Sequence, residues 1–108
     1  MKYHSKKTIV DGYKFDSKAE SEEYCRLKMA LRAGEIQNLV LQPSFELQPS
    51  FKKNGKTYRK ITYKADFAYI KDGKTIVEDV KGMKTDVYKL KKKLFEYKYP
   101  NLEIMEIK

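Results

Sequence analysis

The chain has 108 residues and a net charge of +9, with 24 lysines and arginines against 15 acids. That length sets one domain with a small core, and 41% apolar and 13% aromatic residues set a folded chain rather than a disordered tail. One cysteine, Cys25, and one histidine, His4, exclude a disulfide framework, a zinc finger and a Cys/His nucleophilic pair within the chain.

Such a charge excess favours polyanionic partners, nucleic acid ahead of an acidic membrane surface. Cys25 is expected to be a small buried residue of a reducing compartment. No apolar run is long enough to span a bilayer and no signal-peptide pattern is present, so a cytoplasmic protein is expected.

In chain order, residues 1–15 carry Lys2, Lys6, Lys7 and Lys14 around Thr8-Ile9-Val10, an arm with a short strand before an Asp11-Gly12 turn. The pattern predicts a helix from about Ser17 to Ala33, stopped by Gly34, with Tyr24, Leu27 and Leu31 inward and Ala30 beside them. Leu39–Leu41 and Phe45–Leu47 read as strands broken at Pro43, and Asn54-Gly55 as the turn of a basic hairpin. Strand residues continue to Ile70. After the Asp72-Gly73 turn, a strand leads to Lys81. Thr85 is placed to cap a helix from about Asp86 to Tyr97, with Val87, Leu90, Leu94 and Tyr97 predicted inward. Leu102–Ile107 is a last strand. The second helix is long enough for a parallel crossover, so the expected fold is α/β (α+β), a single mixed sheet flanked by helices.

The Asp72-Gly73 turn sets a register. If these two residues form the loop, Ile70 meets Thr75, Ala68 meets Val77 and Asp66 meets Asp79. Opposed side chains share a face with Cβ atoms about 4.5–5.5 Å apart, and two carboxylates there repel unless something positive lies between them. Lys81, two residues beyond Asp79, projects from the same face. Two acids and a lysine on one spot suit metal-assisted phosphodiester cleavage. Alternation sends Glu78 to the opposite face, beside Phe67. A bulge would reverse this and make Glu78 the candidate instead. Ser17-x-x-Glu20 is a capping-box pattern, yet Glu20 also lies on the inward helix face, where a carboxylate needs a partner such as a metal. Glu23 is the weaker substitute for it, and Gln42 could hold a water or a phosphate. Gly82 would admit a phosphate or backbone closely, or simply turn the chain. Lys53, Lys56, Arg59 and Lys60 on the basic hairpin, with Lys84 and Lys91 on the second helix, are the candidate DNA contacts. Lys89, Lys92 and Lys93 read as a solvated outer face. From Lys52 through Lys64 the chain carries no acid.

Glu20, Asp66, Asp79 and Lys81, in this order, resemble the signature of the PD-(D/E)XK nuclease superfamily: a helix Glu, a strand Asp, and (D/E)-x-K on the next strand. Phe15–Glu20, Leu41-Gln42-Pro43, Ala65-Asp66-Phe67 and Glu78–Gly82 further resemble a family of small phage and prophage proteins, described as endonucleases related to Holliday-junction resolvases. One departure is Ala65 in place of the proline of the superfamily name. The resemblance implies a restriction-endonuclease-like core of αβββαβ type and Mg²⁺- or Mn²⁺-dependent DNA cleavage leaving a 5′-phosphate and a 3′-hydroxyl. It implies that Asp66, Asp79, the Val80 carbonyl and Glu20 hold the metal, that Lys81 assists the chemistry, and that the setting is a bacterial host cytoplasm. Symmetric cleavage would need two copies, hence an expected homodimer. The rival readings are a non-catalytic DNA-binding module and a host-interaction protein on the same fold.

Overall fold

The computed structural model describes residues 7–81 and 83–108. A first hairpin pairs β1 (Thr8–Val10) with β2 (Tyr13–Phe15). Helix α1 (Lys18–Arg32) follows, with the Ser17 hydroxyl accepting from the Glu20 N–H at 3.2 Å. Next come β3 (Gln37–Leu41), β4 (Ser44–Gln48), β5 (Phe51–Lys53), β6 (Lys56–Tyr58), β7 (Ile61–Lys64), β8 (Phe67–Lys71) and β9 (Lys74–Val80). Helix α2 (Asp86–Lys98), capped by Thr85, leads to β10 (Ile104–Ile107).

The main sheet is mixed, in the order β10-β9-β8-β3, with β10 parallel to β9 across the α2 crossover and the other pairs antiparallel. Within this sheet and its helices the element order is α1-β3-β8-β9-α2-β10, the α/β (α+β) arrangement expected. Among the described residues, three two-stranded ribbons accompany the sheet: β1–β2, β4–β7 and β5–β6. The expected mixed sheet flanked by helices is present, and β4, β5, β6 and β7 pair outside it. The expected strand up to Ile70 breaks at Ala65-Asp66, where β7 leaves its partner β4 and β8 joins β3 and β9. Three tight turns take the form that two-residue hairpins need, with positive φ at Asp11-Gly12, Asn54-Gly55 and Asp72-Gly73.

Two apolar clusters cover the two faces. On the α1 side, Phe15, Tyr24, Leu27 and Ile36 pack with Phe67, Tyr69 and Val80. On the α2 side, Tyr63, Ala65, Val77 and Ile104 pack with Tyr88 and Phe95. The expected inward stripe of α2 is not the one used. Val87, Leu90 and Tyr97 are 63%, 57% and 88% exposed, with Leu94 also at the surface, while Tyr88 and Phe95 are buried. The reason is aromatic packing: Phe95 meets Phe45 edge-on at 5.0 Å between centroids and Tyr63 at 5.5 Å. Cys25 is exposed rather than buried, because it follows inward-facing Tyr24 by one position and so turns off the buried stripe.

The β5–β6 ribbon packs chiefly on itself. The radius of gyration, 15.6 Å, exceeds the about 13 Å of a compact domain this size. A projecting ribbon is in keeping with that excess.

Candidate active site

The ladder between β8 and β9 runs in the register set by Asp72-Gly73: Ile70 meets Thr75, Ala68 meets Val77 and Phe67 meets Glu78. It ends there, one pair short of Asp66 and Asp79. Asp66 sits where the chain crosses from one ribbon to the sheet. Its N–H donates to the Glu78 carbonyl at 3.1 Å and its carbonyl accepts from Gln42 at 2.9 Å. Its carboxylate accepts from the Val80 N–H at 2.7 Å. The two aspartates are thus not a directly opposed pair, and each has its own donors to offset repulsion.

Asp79 is buried and points to the α2 side. The Tyr63 hydroxyl donates to its Oδ2, and Lys81 Nζ lies 3.2 Å from its Oδ1. Lys81 therefore shares a face with Asp79, as strand alternation requires. Its ammonium stands 4.2 Å from the Tyr88 ring centroid, and its N–H donates to Ile107. The aromatic surface and the carboxylate hold one ammonium between them. Burial, then the hydrogen bond to Asp79, push the Tyr63 hydroxyl far above its usual value, so it stays a donor; Asp66 adds to the same effect. The phenol is hydrogen-bonded to Asp79, while the Asp66 carboxylate is engaged by the Val80 N–H.

Glu20 is buried on α1 and lines a cleft of about 270 Å³ with Tyr13, Lys14, Phe15, Gln42 and Asp66. Asp79 and Lys81 do not line it. The four signature residues fall into two groups, Glu20 with Asp66 and Asp79 with Lys81. Asp66 bridges them through Val80.

Glu78 turns to the α1 side, beside Phe67, and is fully buried. Tyr69 donates to its Oε2, and Arg26 lies 3.6 Å away while gripping Glu23 through both carboxylate oxygens. Glu78 Oε1 is buried and receives no hydrogen bond from a described donor. Burial first, then the facing Glu23 carboxyl, raise the Glu78 carboxyl to about 8. Burial pushes Glu23 upward as well, but hydrogen bonds from Arg26 and Glu78 more than reverse this. Glu78 and Glu23 are thus engaged with each other and with Arg26.

Among the predicted cations, Lys53, Lys56, Arg59 and Lys60 are exposed on or beside the ribbon. Lys84 is tied to Glu106 at 2.8 Å, so its charge is offset rather than free for a phosphate. Lys84 and Tyr88, in that order, hold the Glu106 carboxyl down to about 2. Lys91 is half-buried, and Lys92, expected on the solvated face, is half-buried and 3.5 Å from Glu106. Lys2, Lys6, His4 and Gly82 lie outside the described residues. Sequence reasoning missed Tyr63 and Tyr88. A buried tyrosine needs a partner for its hydroxyl, which was the available signal, but nothing local identified that partner.

Among the described residues, no three His, Cys, Asp or Glu side chains stand close enough to form a ready-made metal cage. Mg²⁺ does not require one. It keeps several waters and takes one or two carboxylates plus substrate phosphates. Asp66 and Asp79 offer the oxygen donors that such an ion takes, Asp66 beside Val80 and Asp79 beside Lys81.

A mixed α+β domain with a buried Asp79–Lys81–Tyr63 cluster beside a strand break is the class that fold and site define. The chain belongs to the family described as protein of unknown function (DUF1064), whose profile matches residues 1–108. No curated protein and no solved structure matches it. No helix among the described residues is long and apolar enough to cross a membrane.

Proposed function

We propose that this protein is a metal-dependent DNA endonuclease of the PD-(D/E)XK type, acting on branched or duplex DNA. The observation that carries the reading is Asp79 held between Lys81 and the Tyr63 hydroxyl, with the Asp66 carboxylate anchored at the adjoining strand break by the N–H of Val80, the residue that follows Asp79. The resemblance to a nuclease signature and the charge of +9 support it. Mg²⁺, with Mn²⁺ as substitute, would be held by Asp66 and Asp79, with Glu20 and the Val80 carbonyl as the further candidates. Such an ion lowers the pKa of a bound water and offsets charge on the scissile phosphate. Tyr63 fixes the orientation of the Asp79 carboxylate. Lys81, steadied by Asp79 and the Tyr88 ring, orients the attacking water and stabilises the negative charge that develops on the phosphate oxygens. The exposed cations of the β5–β6 ribbon hold DNA by its phosphates.

Cleavage of a labelled four-way junction and its matched duplex, in Mg²⁺, Mn²⁺ and EDTA, tests this reading. Lys81→Ala is expected to cut about 10²–10³-fold more slowly, the usual loss for one charge-stabilising donor, with DNA affinity nearly unchanged. Cutting that persists in EDTA, or at full rate in Lys81→Ala, would contradict the assignment.

The same reading takes a homodimer, since one site cuts one strand. Its support is the exposed α2 stripe of Val87, Leu90, Leu94 and Tyr97, with Met83 also exposed before the helix. An antiparallel pairing of two α2 helices sets Leu90 against Leu94, Val87 against Tyr97, and Asp86 against Lys98 of the second copy. Sedimentation of wild type should give a dimer, and Leu90→Lys a folded monomer. A wild-type monomer at tens of micromolar would rule this pairing out.

A further inference from the structure

The β5–β6 ribbon carries more than charge. Its register pairs Phe51 with Tyr58, Lys52 with Thr57 and Lys53 with Lys56. Side chains alternate along a strand, so Phe51, Lys53, Lys56 and Tyr58 occupy one face. On that face the two rings stack nearly parallel, 9° apart, with centroids at 4.8 Å. They are nonetheless 43% and 39% exposed. Lys56 Nζ lies 5.0 Å from the Tyr58 centroid.

A stacked ring pair left in water at a projecting ribbon is an unfinished stack. Nothing else in the described fold covers it, since the ribbon packs chiefly on itself. The surroundings define the missing partner. Lys52, Lys53, Lys56, Arg59, Lys60 and Lys64 fall in a stretch with no acid, which favours an anionic partner. The lysine pair sits two residues from the ring pair, about 6.6 Å along the strands. A flat π-system placed on the rings therefore leaves an attached phosphate within reach of Lys53 and Lys56. An intact duplex cannot supply it, because its base faces are consumed by its own stacking and only edges and phosphates are offered. A single strand, or the unpaired bases of a branch, supplies both the face and the phosphate.

We infer that Phe51 and Tyr58 form a stacking platform for an unpaired base, with Lys53 and Lys56 holding its phosphate, so that this ribbon selects single-stranded segments of nucleic acid. The inference rests on the nuclease reading only for its consequence. If both hold, the platform directs the enzyme to branched or gapped DNA rather than continuous duplex.

The test is the affinity of the full chain for three fluorescent probes of equal length at one fixed salt concentration: oligo-dT, a matched duplex, and oligo-dT with one central 2-aminopurine. Phe51→Ala/Tyr58→Ala is expected to lose about 5- to 100-fold in affinity for oligo-dT, the loss carried by one stacked base. Duplex affinity should change less than twofold. Binding should alter 2-aminopurine emission in wild type and not in this variant. Because the double alanine variant risks unzipping the ribbon, Phe51→Val/Tyr58→Val is measured beside it. β-Branched residues keep the strand pairing while removing the ring faces, and the same selective loss is expected. Equal losses on single strand and duplex, or no loss on either, would overturn the platform. Cleavage in Mg²⁺ is scored separately. A selective loss without any cleavage removes the nuclease reading and keeps the platform. Cleavage with no selective loss does the reverse.

Discussion

Asp79→Asn should abolish DNA cleavage while leaving the protein folded and DNA-bound. Asp79 is buried, receives the Tyr63 hydroxyl and pairs with Lys81 at 3.2 Å, so it is the point on which the proposed chemistry converges. Asparagine keeps the shape and one carbonyl acceptor for Tyr63. It removes the charge that a divalent cation and Lys81 both need. Losing several kcal/mol of charge stabilisation at the reacting phosphate corresponds to a fall of about 10³-fold or more in rate. The cost to folding should be small, about 1 kcal/mol, because the Lys81 side chain is 22% exposed, keeps its water and rests on Tyr88. DNA affinity should hold or rise, since a negative charge near phosphates has been removed. Comparing single-turnover rates with anisotropy titrations checks both halves. A variant that still cuts within tenfold of wild type would remove Asp79 from the chemistry.

Glu78→Gln should stabilise the protein at alkaline pH and flatten its stability between about pH 5 and 8. The Glu78 carboxyl is raised from an ordinary 4.5 to about 8. In that window the folded chain holds a proton that the unfolded chain has released. Stability therefore falls as pH rises, and the cost is complete above pH 8. Glu23 acts in the opposite sense. Its value is lowered, so its contribution is gained below the ordinary carboxylate range and is already complete within this window. The groups facing Glu78 are Tyr69, Arg26 and Glu23. A glutamine amide donates to Glu23 and accepts from Tyr69 or Arg26, with no charge to desolvate. The gain at pH 8.5 should be on the order of 3 kcal/mol. Urea titrations of both proteins at pH 5.5, 7 and 8.5 read this difference and cancel the titration of groups remote from Glu78. Parallel pH profiles would show that Glu78 is ionised in the folded state.

What the sequence revealed about this fold was mostly local. Ser17 and Thr85 cap their helices through hydrogen bonds three residues on, and Asp72-Gly73 sets a register counted along adjacent strands. Lys81 follows Asp79 on one face by alternation alone. The errors came where a distant partner decides. Helix α2 carries two apolar stripes, and periodicity cannot choose between them. Phe45 and Tyr63, remote in sequence, select Tyr88 and Phe95. The break at Ala65-Asp66 has no glycine or proline to announce it, so the pairing of Asp66 with Asp79 was extended one step too far. The Tyr63–Asp79 and Glu23–Glu78 contacts likewise join separate elements, and only the assembled fold brings them together.

The proposed activity is tested most directly by the ends it leaves on DNA. Supercoiled plasmid and a labelled four-way junction are incubated with the wild-type protein in Mg²⁺ or in EDTA, and the products are then offered to a DNA ligase. The nuclease reading predicts nicks formed only with the metal, bearing a 5′-phosphate and a 3′-hydroxyl, and resealed by the ligase. DNA that is bound but stays intact in both Mg²⁺ and Mn²⁺ would contradict it and leave a nucleic-acid-binding domain on the same fold.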